Sequence, residues 1–330
     1  MMQDAAASTS LIQLAPLSEG QTPGQLFVPI PRGRGHAIKH FRCFALLAAV
    51  LLILFALQAR ATSPGTRIEF SSLDPSDHSR HHLGHHHGQN HNVSGTLYLP
   101  DNASGPVPAI VLIHGTMGID QRGELYRQPL LTAGIAIFEV DFKTGIYRGP
   151  LDRPHPDTFL PMAFAALKEL RKLPSIDPSR IGIMGFSLGG NITLRTAMES
   201  NVKQWMGDEK GFIAFAAFYP VCKHFTKDFE ESGSKLTGGP MIIFYGTEDS
   251  YGEGKAVPEL KSLLATKYNF QVTTVEYAGA THGFNRNAPP MWYPDPAANE
   301  MLGHMKWDPE AANDSIIKVV AFLHDNLLAK

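Results

Sequence analysis

The chain has 330 residues, 43% of them apolar and 18% charged, which is ample for one large buried core. Its net charge of −2 is unevenly spread: residues 1–61 carry Arg32, Arg34, Lys39, Arg42 and Arg60 against Asp4 and Glu19, a balance of +3 that leaves −5 for the rest. An acidic body gives nucleic acid no electrostatic reason to bind and argues against it as a partner.

Residues 1–35 are rich in Ala, Ser, Gln, Pro and Gly and lack periodicity, as a disordered tail does. Residues 44–57, FALLAAVLLILFAL, carry no charge, follow a basic flank and precede Ala59-Arg60-Ala61. That is the grammar of a signal peptide cleaved after Ala61, leaving 62–330 as an exported, periplasmic or secreted protein. The run is short against the about 20 residues of a membrane span. An uncleaved anchor through 44–57 is the alternative, and it is the one route to a membrane. The stretch before the run is long for a signal peptide, as a misplaced start or a cytoplasmic tail would make it.

In the body, 66–71 and 93–99 suit short strands, separated by the polar, histidine-rich segment 78–91. The apolar run 109–113 suits a buried parallel strand. Then follow a helix over 122–133, a strand over 135–140, a helix over 158–173 stopped by Pro174, a strand over 180–184 and a helix over 188–200. Strands at 212–218, 241–245 and 271–277, a helix at 256–267 and a last helix at 309–328 complete the pattern. Strands alternating with helices predict an α/β domain over 62–330 with a mostly parallel sheet covered on both faces. The polar connection 220–239 is long enough for a small cap over a site.

Residues 185–189 read Gly-Phe-Ser-Leu-Gly between an expected strand and an expected helix. In a G-x-S-x-G turn the glycines keep side chains from colliding, and the serine is lifted clear of the sheet beside a helix N-terminus. Ser187 needs a base, because a hydroxyl is a weak nucleophile at neutral pH. Asp249 leaves the end of the 241–245 strand and His282 the end of the 271–277 strand, and functional groups gather at such carboxyl ends. The chain order Ser187, Asp249, His282 makes these the candidate nucleophile, acid and base. Glu248 is a rival acid; His304 and His324 are rival bases. The turn His114-Gly115-Thr116-Met117-Gly118 follows an early buried strand. The N–H of Thr116 or Met117, with that of Leu188, would hold an oxyanion, while His114 braces the turn.

Taken together, Gly-Thr-Leu-Tyr-Leu-Pro (95–100), His114-Gly115, Asp177-Pro178-Ser179-Arg180-Ile181-Gly182, Gly-Phe-Ser-Leu-Gly-Gly (185–190), Gly-Thr-Glu-Asp (246–249) and His282-Gly283-Phe284 resemble the dienelactone hydrolase family of the α/β hydrolases over about 66–328. The resemblance implies an eight-stranded sheet and no metal or organic cofactor. The founding enzymes use a cysteine nucleophile where this chain has Ser187. The likeness is therefore to the serine-bearing branch, resembling carboxylesterases of mixed specificity.

Seven of the fifteen histidines lie within 78–91. Imidazoles suit Zn, Cu and Ni, which makes His81, His82, His85, His86 and His87 weak metal candidates, but no fixed ligand spacing defines a site. Cys222 reads as a small buried hydrophobe. Tyr147-Arg148 and Trp292-Tyr293 lie near loops that could line a pocket. The expected function is hydrolysis of a small-molecule carboxylic ester through an acyl-enzyme on Ser187. Peptidase or acyltransferase chemistry on the same triad, and a metal-binding role for the histidine segment, are the alternatives. Nothing in the sequence points to an oligomeric state.

Overall fold

A computed structural model describes residues 64–73, 90–101, 103–142 and 156–328. All of them belong to one compact unit, Ala61–Lys330. The expectations for the tail and apolar run in 1–61, for His81, His82, His85, His86 and His87, and for Tyr147-Arg148 fall outside the described residues. Among the described residues no helix is long and apolar enough to cross a membrane.

Eight strands form one sheet: β1 (Thr66–Leu73), β2 (Asn90–Tyr98), β3 (Val107–Ile113), β4 (Ala136–Asp141), β5 (Ile176–Phe186), β6 (Phe215–Phe218), β7 (Met241–Gly246) and β8 (Thr273–Tyr277). Their order is β1-β2-β4-β3-β5-β6-β7-β8. β2 runs antiparallel to both β1 and β4, and every pairing from β4 to β8 is parallel. The helices are α1 (Gln121–Thr132), α2 (Leu160–Arg171), α3 (Leu188–Thr196), α4 (Glu199–Met206), α5 (Cys222–Ser232), α6 (Glu253–Lys267) and α7 (Pro309–Leu327). A small hairpin, β9 (Met291–Pro294) with β10 (Leu302–Met305), stands apart from the sheet.

The period of two along each strand sorts the core into two layers. Val111, Ile113 and Ile183 point to the layer that holds Phe164 of α2, Ile192 of α3, Phe225 of α5 and Val257 of α6. Ile110, Leu112, Met184 and Phe244 point to the layer that holds Tyr126 of α1 and Val319 and Leu323 of α7. Strands buried on both faces read as unbroken apolar runs, which is why 109–113 is so plain in the sequence. Helix starts are set locally. Asp120 accepts from the Arg122 N–H ahead of α1, and Asp308 accepts from the N–H groups of Glu310 and Ala311 ahead of α7, where Pro309 takes the first turn.

Three elements differ from the expectation. The helix expected over 188–200 is broken into α3 and α4, because Met198 turns extended and bridges Leu236. The hairpin was not anticipated; its strands are only four residues each. The cap expected near 220–239 is corrected. Residues 222–232 form α5, an amphipathic helix of the flanking layer whose Phe225 and Phe229 are buried in the main core. The run looked polar because only one stripe of such a helix is apolar.

Candidate active site

The elbow after β5 is forced by close backbone contacts. Ser187 has φ 54° and ψ −114°, a conformation side chains rarely adopt. Its N–H donates to the Phe218 carbonyl at 2.9 Å, and its own carbonyl accepts from the Asn191 N–H at 2.9 Å. A Cβ at Gly185 would lie 2.2 Å from the Gly189 oxygen, and one at Gly189 would lie 2.3 Å from the Ile113 oxygen. Neither neighbour is a side chain that could swing away, so both glycines of the motif are required by sterics.

Ser187, His282 and Asp249 come together in one buried line. The His282 Nε2 lies 2.8 Å from the Ser187 Oγ, and its Nδ1 lies 2.8 Å from an Asp249 oxygen. The side chains of His282 and Asp249 have no exposed surface. The other Asp249 oxygen accepts the Tyr251 N–H at 2.8 Å. The rivals are elsewhere. Glu248 is exposed, with its N–H on the Ala280 carbonyl. His304 stacks on Trp292 in the hairpin, and His324 pairs with Asp325 on α7.

The turn after β3 packs beneath the elbow. The Cβ position of Gly115 lies 3.3 Å from the Phe186 oxygen, and the turn closes with the Gly118 N–H on the Gly115 carbonyl at 3.0 Å. Thr116 and Met117 occupy its outer corner and become progressively exposed, while Leu188 is the first residue of α3. His114 braces the turn: its Nδ1–H donates to the Gly115 carbonyl at 2.7 Å, and its Nε2 accepts from the Phe142 N–H at 3.0 Å. Both ring nitrogens are occupied, so His114 is not placed to act as a base.

Several polar residues of the site escaped the sequence reading. Arg122 is fully buried and grips Asp120 with two bonds, from Nε at 2.8 Å and from Nη2 at 2.6 Å. Burial would raise the Asp120 carboxyl, but the bonds and charge of Arg122 hold it below its ordinary value. From Arg122 a buried chain runs to the Tyr219 hydroxyl, which donates to Asn285. Asn285 donates to the Tyr126 hydroxyl at 2.7 Å, which lies 2.6 Å from Ser315 on α7. Burial pushes the Tyr219 phenol up to about 12. On the other side of the site, Glu253 is fully buried on α6 and accepts the Cys222 N–H at 2.7 Å. Burial, and then the charge of Asp249, push its carboxyl up to about 8. Cys222 is buried as expected, and burial raises its thiol. The usable signal for Tyr219 was its place at the end of a buried strand; Arg122, Asn285 and Glu253 carried none.

Among the described residues no cluster of three histidine, cysteine or acidic side chains could hold a metal ion.

A family model, that of the dienelactone hydrolase family, matches residues 93–327. The chain belongs to the dienelactone hydrolase family. This member is also 35% identical over 107 residues to esterase FrsA of Photorhabdus laumondii subsp. laumondii. That match covers 32% of this chain and 25% of FrsA, so the chain spans a quarter of the length of the curated relative it matches. Among solved structures it resembles P91, a dienelactone hydrolase-like promiscuous phosphotriesterase from metagenomic libraries, with a TM-score of 0.56 at 14% identity over 80% of this chain and 99% of that one. It also resembles a hyperthermophilic esterase from Pyrobaculum calidifontis, with a TM-score of 0.55 at 15% identity over 83% and 87% of the two chains. At such identities the likeness is one of fold. It bears out the mostly parallel eight-stranded α/β-hydrolase sheet expected from the sequence.

Proposed function

We propose that this dienelactone hydrolase family member is a serine hydrolase that cleaves small carboxylic esters through an acyl-enzyme on Ser187. The observation that carries the reading is the buried line Ser187–His282–Asp249, with both contacts at 2.8 Å. In this mechanism the Ser187 oxygen attacks the ester carbonyl while its proton passes to the His282 Nε2. Asp249 accepts the Nδ1–H, fixes the tautomer and offsets the imidazolium charge. The N–H groups of Leu188 and of Thr116 or Met117 stabilise the tetrahedral oxyanion, and each such donor is worth about 3 kcal/mol of barrier. The proton on His282 then goes to the leaving alcohol. Water, deprotonated in turn by His282, attacks the acyl-serine and releases the acid.

A polar insert over the site at 220–239 would suit the larger substrates of peptidase or acyltransferase chemistry on the same triad. With that segment in the flanking layer as α5, nothing particular favours them.

The experiment is labelling with a fluorophosphonate probe beside Ser187→Ala, followed by turnover of short and long p-nitrophenyl esters. Labelling lost in Ser187→Ala, with ester turnover at least about a thousandfold above the variant, is expected. A folded protein that neither labels nor turns over esters would sink the reading.

A further inference from the structure

The histidine that carries the proposed chemistry is packed between two tyrosines whose hydroxyls are wired in opposite ways. The Tyr251 ring centroid lies 4.4 Å from that of His282, and the Tyr219 centroid lies 4.7 Å from it. The Tyr219 hydroxyl accepts from a cation, the Arg122 guanidinium, before donating to neutral Asn285. The Tyr251 hydroxyl donates its one proton to an anion, the buried Asp295 carboxylate. That proton being committed, the Tyr293 hydroxyl, 3.1 Å away, is the donor of the second bond. Asp295 is fixed in turn by the Ala297 N–H at 2.9 Å. Burial, then Tyr293 and Asp295, hold the Tyr251 phenol well above its ordinary value, so the O–H persists through the working range of pH.

Resting on the ester-hydrolase reading above, we propose that Tyr251, polarised by Asp295, is a positioning residue that holds the His282 imidazole in line and favours its protonated form as Ser187 attacks. A phenol that donates to a carboxylate pushes electron density into its ring, and an electron-rich ring attracts a cation within about 6 Å. The cation in question forms during the reaction, when His282 holds the serine proton, and also when the free protein is titrated with acid. Tyr251 therefore acts on the barrier more than on substrate binding. The same residue reaches the triad a second way, through its N–H on Asp249. Asp295 lies directly after β9, so the hairpin supplies the anion that tunes the site. Its backbone also joins the site, since Met305 of β10 bridges His282, and the His304 N–H bonds the Ser250 hydroxyl at 3.1 Å.

The groups facing or close behind His282 are Ser187 of the elbow, Asp249 and Tyr251 after β7, Tyr219 with Arg122 and Asn285 behind it, and Glu253 of α6 beside Asp249. Of the two tyrosine rings against His282, only that of Tyr251 carries a hydroxyl bonded to an anion. The variants Tyr251→Phe, Asp295→Asn and Tyr219→Phe separate the roles. In each, the His282 imidazole is followed by NMR against pH in the full chain, and kcat and KM are measured on p-nitrophenyl acetate. Tyr251→Phe and Asp295→Asn should move the imidazole midpoint and the acid limb of kcat/KM to lower pH. They should also cut kcat about tenfold with KM unchanged. Tyr219→Phe should not lower the midpoint. Asp295→Asn keeps an acceptor for the Tyr251 hydroxyl, so it serves if Tyr251→Phe folds poorly. A midpoint unmoved in both Tyr251→Phe and Asp295→Asn, or lowered equally in Tyr219→Phe, overturns the proposal. The NMR midpoint needs no turnover. A wild-type chain that hydrolyses no ester therefore counts against the hydrolase reading alone, while the midpoints still decide the role of Tyr251.

Discussion

At the scale of single residues, the site depends on groups whose charge is decided by burial. Glu253 has one oxygen on the Cys222 N–H and a second, buried, with no partner among the described residues. Its carboxyl is held up near 8 by burial and by Asp249, against an ordinary value of about 4.3. The folded chain therefore keeps a proton that the unfolded chain releases. The associated stability is complete below the ordinary value and is lost as pH rises toward 8. Glu253→Gln keeps an acceptor for Cys222 and cannot ionise. Its urea midpoint should match the wild type near pH 4, exceed it increasingly as pH rises toward about 8, and hold a constant lead above that. A difference that stays constant with pH would mean that Glu253 is not held neutral. Arg122 shows the opposite case, a buried charge that is paired. Arg122→Met strips Asp120 of its guanidinium bonds, keeps the backbone N–H that caps α1, and leaves Tyr219 without its cation. The expected cost is about 3 kcal/mol in urea unfolding, at the low end for a broken buried pair because Asp120 keeps some access to water.

At the scale of elements, the strand–turn–helix β5–Ser187–α3 is stressed by its own function. Ser187 sits at φ 54°, and the turn is held by bonds to Phe218 and Asn191 while the glycines let Gly189 approach β3. Gly185→Ala would put a Cβ 2.2 Å from the Gly189 oxygen, where only backbone movement can relieve the contact. The expected loss is about 2 kcal/mol of stability with the labelling of Ser187 slowed far more than stability accounts for. Unfolding midpoints and labelling rates measured together would show this, and unchanged labelling in Gly185→Ala would argue that the elbow tolerates a shift. The elbow helix is also anchored along its length. The Asn191 side chain donates to the Pro220 carbonyl at 2.7 Å, and buried Arg195 bonds Asn191, Asp157 and Asp228. This helix joins the lead-in to α2 and the helix α5 in one polar knot, while Phe225 and Phe229 bury α5 against the core.

At the scale of the whole molecule, the parallel order β4-β3-β5-β6-β7-β8 brings six carboxyl ends to one edge, and four of them carry the site residues expected from the sequence. The turn after β3 carries Thr116 and Met117, β5 leads to Ser187, β7 to Asp249 and β8 to His282. This much could be read in advance, because each strand is a local apolar run and each motif follows one directly. Ser187, Asp249 and His282 were named from the G-x-S-x-G turn, from chain order and from their places after expected strands, and the structure brings all three within hydrogen-bonding reach. Cys222 and the bracing role of His114 were legible for the same reason: local composition carried the information.

The remaining features depend on separations that no local pattern encodes. Tyr219 and Tyr251 meet His282 across 63 and 31 positions of sequence, Tyr126 reaches Ser315 across 189, and Asp295 reaches Tyr251 across 44. A tyrosine or arginine destined for burial looks the same in sequence as one bound for the surface. Its partner is decided only when strands and helices pack, and the cost of an unpaired buried polar group then selects the pairing. The sequence by itself determined the strand–helix alternation and the order of the three candidate residues, because periodicity and turn sterics are local. Only the tertiary structure decided that α5 is a layer helix, that Arg122 and Glu253 are buried, and that the hairpin carries Asp295 to the phenol beside His282, because these are contacts between distant segments with no mark in either one.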